Sequence, residues 1–378
     1  MKILMDENIP FARELFGPIG TVTTISGRNI TNKIAKQYDI LLVRSVTNVN
    51  KDLLKGTGVK FVGTATVGED HIDKRYLKEH HIGFASAGGS NTHSVVDYVF
   101  WVLFNYCAEK GISIKKITLG VVGAGRIGGL VALKAQKIGI CVMKNDPPLQ
   151  KLQPHRKYHS LDDLAQADFI TIHTPLIHTG PYPTFHLFNK ERMLKMKKKA
   201  VLINTARGGV VDNKALEELL NQGHIRDAVL DVWENEPYIS LDLLRQVFLG
   251  TFHIAGYSFQ GKLNGSILLF KKLCDFLKFK KRNPGIKKDK KIKILLAGSR
   301  DGLERTVSWI MNQVYDFRQD HERLKTILKI HSREKRAKMF DLFRKDYPER
   351  DEFTEYQLKG KLPDPYLKIL KMLGFRIS

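Results

Sequence analysis

Short apolar runs and turn residues alternate along the first third of the chain at the spacing of strands and helices. Lys2-Ile-Leu-Met5, Ile40-Leu-Leu-Val43, Lys60-Phe-Val62 and Ile82-Gly-Phe84 are runs of strand length, and helical patterns fit between them over Pro10–Phe16 and Asp73–Glu79. Strands that are apolar on both faces, with helices between them, predict βαβ units and a parallel sheet. The apolar stretch Ser94–Cys107 predicts a buried helix leading out of this domain. A second series follows, with strands over Thr118–Val122, Ile140–Met143, Phe169–Ile172, Ala200–Ile203 and Ala228–Leu230. Its helices fit Arg126–Ile138, Leu161–Gln166 and Asn213–Gln222. A helical stretch over Gly265–Phe279 can return to the first domain and make it discontinuous. Beyond it, Lys291–Ala297 reads as a strand and Glu304–Val314 as an amphipathic helix, the start of a small α+β unit. The expected organisation is α/β: residues 1–95 with 257–280, residues 96–256, and residues 286–378.

Composition changes this picture little. A chain of 378 residues is long enough for more than one core. Its formal charge of +23 invites a nucleic-acid partner. The excess is spread, however: residues 277–378 hold 27 Lys and Arg against 14 Asp and Glu, and residues 1–276 hold 35 against 25. The densest run, Lys278–Arg282 with Lys287–Lys291, brackets Asn283-Pro-Gly285 and reads as a solvated linker. A general lysine bias is expected, with no nucleic-acid partner, although anionic substrates are drawn to such a surface. Cys107, Cys141 and Cys274 are far apart and lack metal-ligand spacing, so neither a disulfide framework nor a metal is expected. The N-terminus, with two acids after its first apolar residues, is no signal peptide, and Val95–Ala108 is interrupted by Asp97 and too short to span a bilayer. A cytoplasmic protein with no membrane partner is expected.

Candidate chemistry lies in the second series. Gly123-Ala-Gly125-Arg126-Ile127-Gly128 follows an apolar strand and opens a helix. Gly123 allows the tight turn, Gly125 lets a pyrophosphate approach the backbone, and Gly128 permits close helix–strand packing. The helix start offers free N–H groups and a positive dipole end to phosphates. Asp146, at the end of the next strand, stands where a carboxylate bonds the adenosine ribose and favours NAD. These features indicate a Rossmann-type domain. Further on, Arg207 sits in Asn204-Thr-Ala-Arg-Gly-Gly-Val-Val-Asp212, where a guanidinium at a strand end can hold a substrate carboxylate. His253, in His253-Ile-Ala-Gly-Tyr-Ser258, suits a general base for a hydroxyl proton. A carboxylate on its far ring nitrogen would orient it and stabilise the imidazolium. Asp231-Val-Trp-Glu-Asn-Glu-Pro237 supplies two candidates, Glu236 and Glu234, of which Glu236 is preferred beside Pro237.

In order and spacing these motifs resemble the D-isomer-specific 2-hydroxyacid dehydrogenases. That resemblance implies Arg207, Glu236 and His253 as the catalytic set and NAD as cofactor. It also implies NAD contacts at Asp146, Thr174, Thr205, Ala206, Arg207, Asp231 and Gly256, and a flavodoxin-like substrate domain beside the Rossmann-type one. Met1–Pro10, Leu42–Thr47, Phe61–Thr66 and Asn145–Pro148 are similar to a branch of the family that acts on a phosphorylated four-carbon hydroxy acid on the way to pyridoxal 5′-phosphate. By that similarity Ser45, Thr66 and Tyr257 touch substrate, in a cleft between the first two domains, and the C-terminal domain pairs two copies into a homodimer. The residue chemistry adds Arg44 beside Ser45 as a phosphate grip and Gly68 as a source of backbone N–H groups for the carboxylate. Gly88-Gly89 departs from the family's usual Pro-Gly, and Lys144-Asn145 precede Asp146. Alternatives are another member, such as one acting on 3-phosphoglycerate, or an NAD-sensing co-regulator on the same fold.

Overall fold

Each strand of the first sheet sorts its apolar residues by parity. The sheet is parallel, in the order β2-β1-β3-β4-β5, where β1 is Lys2–Asp6, β2 Thr21–Ile25, β3 Ile40–Val43, β4 Phe61–Thr64 and β5 Gly83–Ser86. Ile3, Met5, Ile40, Leu42 and Phe61 face one core with Leu269, Phe270 and Leu273 of the helix Phe259–Leu277. Leu4, Leu41, Val43 and Val62 face the other, with Leu53, Leu54 and Leu77. Burial on both faces is why these strands read as continuous apolar runs. β2 is not among the expected runs. It is an edge strand whose sequence, Thr-Val-Thr-Thr-Ile, mixes polar and apolar positions. The strand order 2-1-3-4-5 is the flavodoxin-like one.

The computed structural model describes residues 1–280, 286 and 293–377. They divide into two compact units: Met1–Thr92 with the described part of 257–291, and His93–Gly256 with the described part of 292–378. Most of the basic run expected as a linker lies outside the described residues, as do Lys291 and Ile292 of the expected strand over Lys291–Ala297.

The second unit holds a parallel sheet in the order β11-β10-β9-β8-β6-β7. Here β6 is Thr118–Val122, β7 Cys141–Asn145, β8 Phe169–Ile172, β9 Val201–Asn204, β10 Asp227–Leu230 and β11 Leu249–Gly250. The order reverses between β6 and β8, and in open parallel sheets ligands gather at the carboxyl edge beside that reversal. A three-stranded parallel sheet, β12 (Lys293–Leu296), β13 (Tyr356–Lys359) and β14 (Arg376–Ile377), belongs to the same unit. The residues expected as a separate third domain thus group with the second sheet. The helix Thr92–Lys110 shows why. Its Asn105 Oδ1 accepts from Ser308 Oγ at 2.7 Å, its Trp101 Nε1 donates to Asn312 Oδ1 at 2.7 Å, and its Asp97 accepts from the Phe353 N–H at 2.9 Å. Phe317 packs edge-on against Tyr98 and Trp101. The polar interruptions of an apolar helix are its bonds to the C-terminal residues. Among the described residues no helix is long and apolar enough to cross a membrane.

Candidate active site

Six strand ends of the second sheet carry the candidate residues. The Gly123 turn follows β6, Asp146 follows β7, Thr174 follows β8, Arg207 follows β9, Asp231 follows β10 and His253 follows β11. The parallel topology alone places all six on one edge. After β6, Gly123 has a φ of 83°, and its N–H is tied to the Asn145 carbonyl at 2.8 Å. A methyl group on Gly128 would meet the Gly123 carbonyl oxygen at 1.8 Å, whereas one on Gly125 would meet nothing within 4 Å. Arg126 and Ile127 open the helix Arg126–Lys137 behind this gap. Asp146 reaches back, Oδ2 accepting from the Ala124 N–H at 2.8 Å and Oδ1 capping the next helix at Leu149 N.

The turn after β9 is shaped by buried Asn204, whose Oδ1 accepts from Ala206 N at 3.0 Å and whose Nδ2 donates to the Arg207 carbonyl at 2.9 Å. A Cβ on Gly208 would lie 1.9 Å from the Trp233 carbonyl oxygen, so only glycine lets this turn touch the segment that carries Glu236. In that segment Glu236 Oε1 accepts from the Trp233 N–H at 2.7 Å, and Oε2 lies 2.9 Å from His253 Nδ1. Burial pushes the Glu236 carboxyl up, but His253, Arg344 and the Trp233 N–H together hold it below the usual carboxylate range. Glu234 is turned elsewhere, with Oε1 at 2.7 Å from His186 Nε2.

His253 has a φ of 61°, a left-handed conformation that is uncommon for residues other than glycine. The segment around it is fastened to Asp231. The His253 N–H donates to the Asp231 carbonyl, and the Asp231 carboxylate accepts from Thr251 Oγ1 (2.7 Å), Ile254 N (2.7 Å) and Ala255 N (2.9 Å). Asp231, expected among the NAD contacts, thus has its buried carboxylate committed to holding the loop that leads through Gly256.

In the first unit, Arg44 and exposed Ser45 follow β3, and Thr66 and Gly68 follow β4. Arg44 Nη2 donates to the Tyr257 hydroxyl at 3.1 Å, and Thr66 Oγ1 donates to the Gly68 carbonyl at 2.9 Å. The Lys262 ammonium lies 5.2 Å from the centre of the Tyr257 ring. Two cations therefore flank one tyrosine.

Residues 94–255 match the D-isomer-specific 2-hydroxyacid dehydrogenase NAD-binding domain, and residues 289–374 match a domain of unknown function. The erythronate-4-phosphate dehydrogenase of Marinobacter nauticus is 40% identical, with 100% of each chain covered. The chain belongs to the D-isomer-specific 2-hydroxyacid dehydrogenases. An Escherichia coli erythronate-4-phosphate dehydrogenase is also 40% identical, over 94% of this chain and 93% of its own. Among solved structures, the Staphylococcus aureus NAD-dependent formate dehydrogenase in complex with NAD is 26% identical at a TM-score of 0.62, covering 75% of this chain and 98% of that one. The Aquifex aeolicus D-lactate dehydrogenase complexed with NAD and lactic acid is 25% identical at a TM-score of 0.59, covering 74% and 96%.

Residues 94–255 of the dehydrogenase's second unit are thus an NAD-binding domain, and they fit that cofactor. The open space over Gly125 leaves room for a pyrophosphate, and Thr174 Oγ1 is buried with no partner among the described residues, a hydroxyl ready for a ligand. His173 was not foreseen: burial pushes its pKa down to about 3, so a neutral ring lies 3.0 Å from Thr171 Oγ1 and 3.4 Å from Thr205 Oγ1. Lys262 was also missed, although its place one turn into the helix after Tyr257 could have flagged it. His186, Asp212 and Glu234 come within 4.8 Å of one another, a spacing that could hold a metal ion. Each already bonds protein groups: His186 to Glu234, Asp212 to Ala215 N, and Glu234 also to Asn213 N.

Proposed function

We propose that the enzyme oxidises the C2 hydroxyl of 4-phospho-D-erythronate, giving (R)-3-hydroxy-2-oxo-4-phosphooxybutanoate, a step in pyridoxal 5′-phosphate biosynthesis. The Glu236–His253 pair, in a chain 40% identical from end to end to a named erythronate-4-phosphate dehydrogenase, carries this reading. With Nδ1 facing Glu236, the ring's Nε2 remains for the hydroxyl proton. Glu236 balances the positive ring that forms. Arg207 holds the substrate carboxylate and polarises the bond to the reacting carbon. The turn at Gly123, Gly125 and Gly128, with Asp146 and Thr174, would hold NAD, which would supply the hydride acceptor. Arg44 and Lys262 attract the phosphate, with Ser45, Thr66, Gly68 and Tyr257 around the rest of the substrate.

Initial rates of NADH formation test this with 4-phospho-D-erythronate, D-erythronate and 3-phosphoglycerate. The phosphorylated four-carbon acid should be favoured in kcat/KM by roughly 100-fold or more over its unphosphorylated form. NAD binding without turnover of any of the three would leave a nucleotide-sensing protein instead. Better turnover of 3-phosphoglycerate would move the enzyme to another branch of the family.

We also propose that two copies pair through the C-terminal residues. β12 is one of the two edge strands of its sheet, and Ile294 and Leu296 on it are 53% and 72% exposed. Light scattering should give twice the chain mass, and Leu296→Lys should shift it toward the monomer.

A further inference from the structure

Arg350 is 3% exposed, and its Nη2 points at the loop that follows His253. That atom donates to the Ala255 carbonyl at 2.9 Å, the Ile254 carbonyl at 3.2 Å and Ser94 Oγ at 2.9 Å. Ser94 Oγ in turn donates to the same Ala255 carbonyl at 2.8 Å. The guanidinium lies 4.8 Å from the centre of the Phe317 ring. From the other side, the Asp231 carboxylate takes the N–H groups of Ile254 and Ala255. Ile254 and Ala255, the two residues after His253, are therefore each gripped at the N–H by an anion and at the carbonyl by a cation.

A left-handed residue other than glycine is strained and persists only where its surroundings over-determine it. His253 is such a residue. We propose that Arg350, supplied by the C-terminal residues of no assigned function, is a positioning residue that holds the His253 loop in the conformation presenting its imidazole to Glu236. The neighbouring helix Arg333–Lys345 acts in the same direction, since Arg344 is among the charges that hold the Glu236 carboxyl down. Burying a guanidinium against two carbonyls and a serine is expensive unless it does something the fold needs. An arginine suits the task because its side chain is long and its terminal nitrogens are donors only, so that a single one, Nη2, serves both carbonyls and the serine. This inference rests on the reading that His253 is the base.

The test is a double-mutant cycle in the full-length enzyme, with kcat, KM for 4-phospho-D-erythronate and NAD affinity measured for each variant. Arg350→Met should lower kcat about 10- to 100-fold, the scale of a small misplacement of a reacting group, with NAD affinity within about threefold of the parent. Arg350→Lys should recover part of the loss. In the His253→Gln background Arg350→Met should cause no further loss, because it acts through the imidazole. An equal loss in both backgrounds, or a folded Arg350→Met with parental kcat, would overturn the proposal. If Arg350→Met does not fold, Ser94→Ala takes its place: a loss of about threefold, present only when His253 is, supports the clamp, and an equal or absent loss in both backgrounds overturns it. His253→Gln with parental kcat would instead remove the underlying reading, whatever Arg350 does.

Discussion

Two loops at the same edge of the second sheet solve the same backbone problem in opposite ways. After β6 the chain turns with positive φ at Gly123 and passes its own helix at Gly128, where any side chain would strike the Gly123 carbonyl. Missing atoms make the turn, and they lie within six residues of sequence. After β11 the chain again takes positive φ, but at His253, which needs its side chain for chemistry. Glycine is not an option there, so partners must hold the strain. One is Asp231, 23 positions from Ile254, and the other is Arg350, 95 positions from Ala255. Both turns draw on a carboxylate at similar distance in sequence, Asp146 at 22 positions from Ala124 and Asp231 at 23 from Ile254, but the turn that must keep a reactive side chain adds Arg350 at 95 positions.

The largest break in this contrast should come from His253→Gln. It should reduce kcat by about 10²- to 10⁴-fold, the usual range for a general base, while NAD affinity measured by fluorescence titration stays at the parental value. A parental rate would remove the imidazole from the mechanism. At the other loop, Gly125→Val fills the open space over the turn and should weaken NAD roughly 100-fold at unchanged melting temperature. Gly128→Ala should do the reverse: it forces a methyl group toward a carbonyl and should cost about 1–3 kcal/mol in denaturant unfolding. Equal behaviour of the two variants would erase the distinction between binding and packing glycines. Asp231→Asn sets an amide against backbone donors and should also cost about 1–3 kcal/mol, with a fall in kcat that NAD affinity does not share.

A further break is a pH dependence. Burial pushes Asp97 up to about 7 from an ordinary 3.8, against the pull of Lys134, the Phe353 N–H and Arg350. A carboxyl raised in the folded state favours folding when protonated. Its contribution is therefore full below about pH 4 and lost as the pH rises through about 7. Asp97→Asn should flatten the fall in stability across that window. Some slope should remain, because burial also raises Asp320 to about 7. A curve identical to the parent's would show that Asp97 does not titrate there.

Much of the architecture was legible because parallel strands buried on both faces leave mostly apolar runs, as at Ile40–Val43, Thr118–Val122 and Phe169–Ile172. β2 was not, because an edge strand exposes part of its surface and loses that signature. Glu234 and Glu236 stood as near equivalents in sequence, two residues apart on one loop. The fold separates them, turning Glu236 to His253 and Glu234 to His186. Asp97 read only as a flaw in an apolar helix, since the Phe353 N–H that explains it lies 256 positions away.

What the sequence determined by itself was the order of most strands and helices in the first two series, the glycine turn for a dinucleotide, and the set Arg207, Glu236 and His253 as chemistry to look for. These depend on periodicity, on absent side chains and on residue type, all of which are local. Only the tertiary structure decided that Glu234 turns to His186, that Asp231 and Arg350 grip the loop beyond His253 from opposite sides, and that the C-terminal residues join the second unit. Hydrogen bonds and buried charges act over about 3 Å of space regardless of the length of chain between their partners, and no local pattern records them.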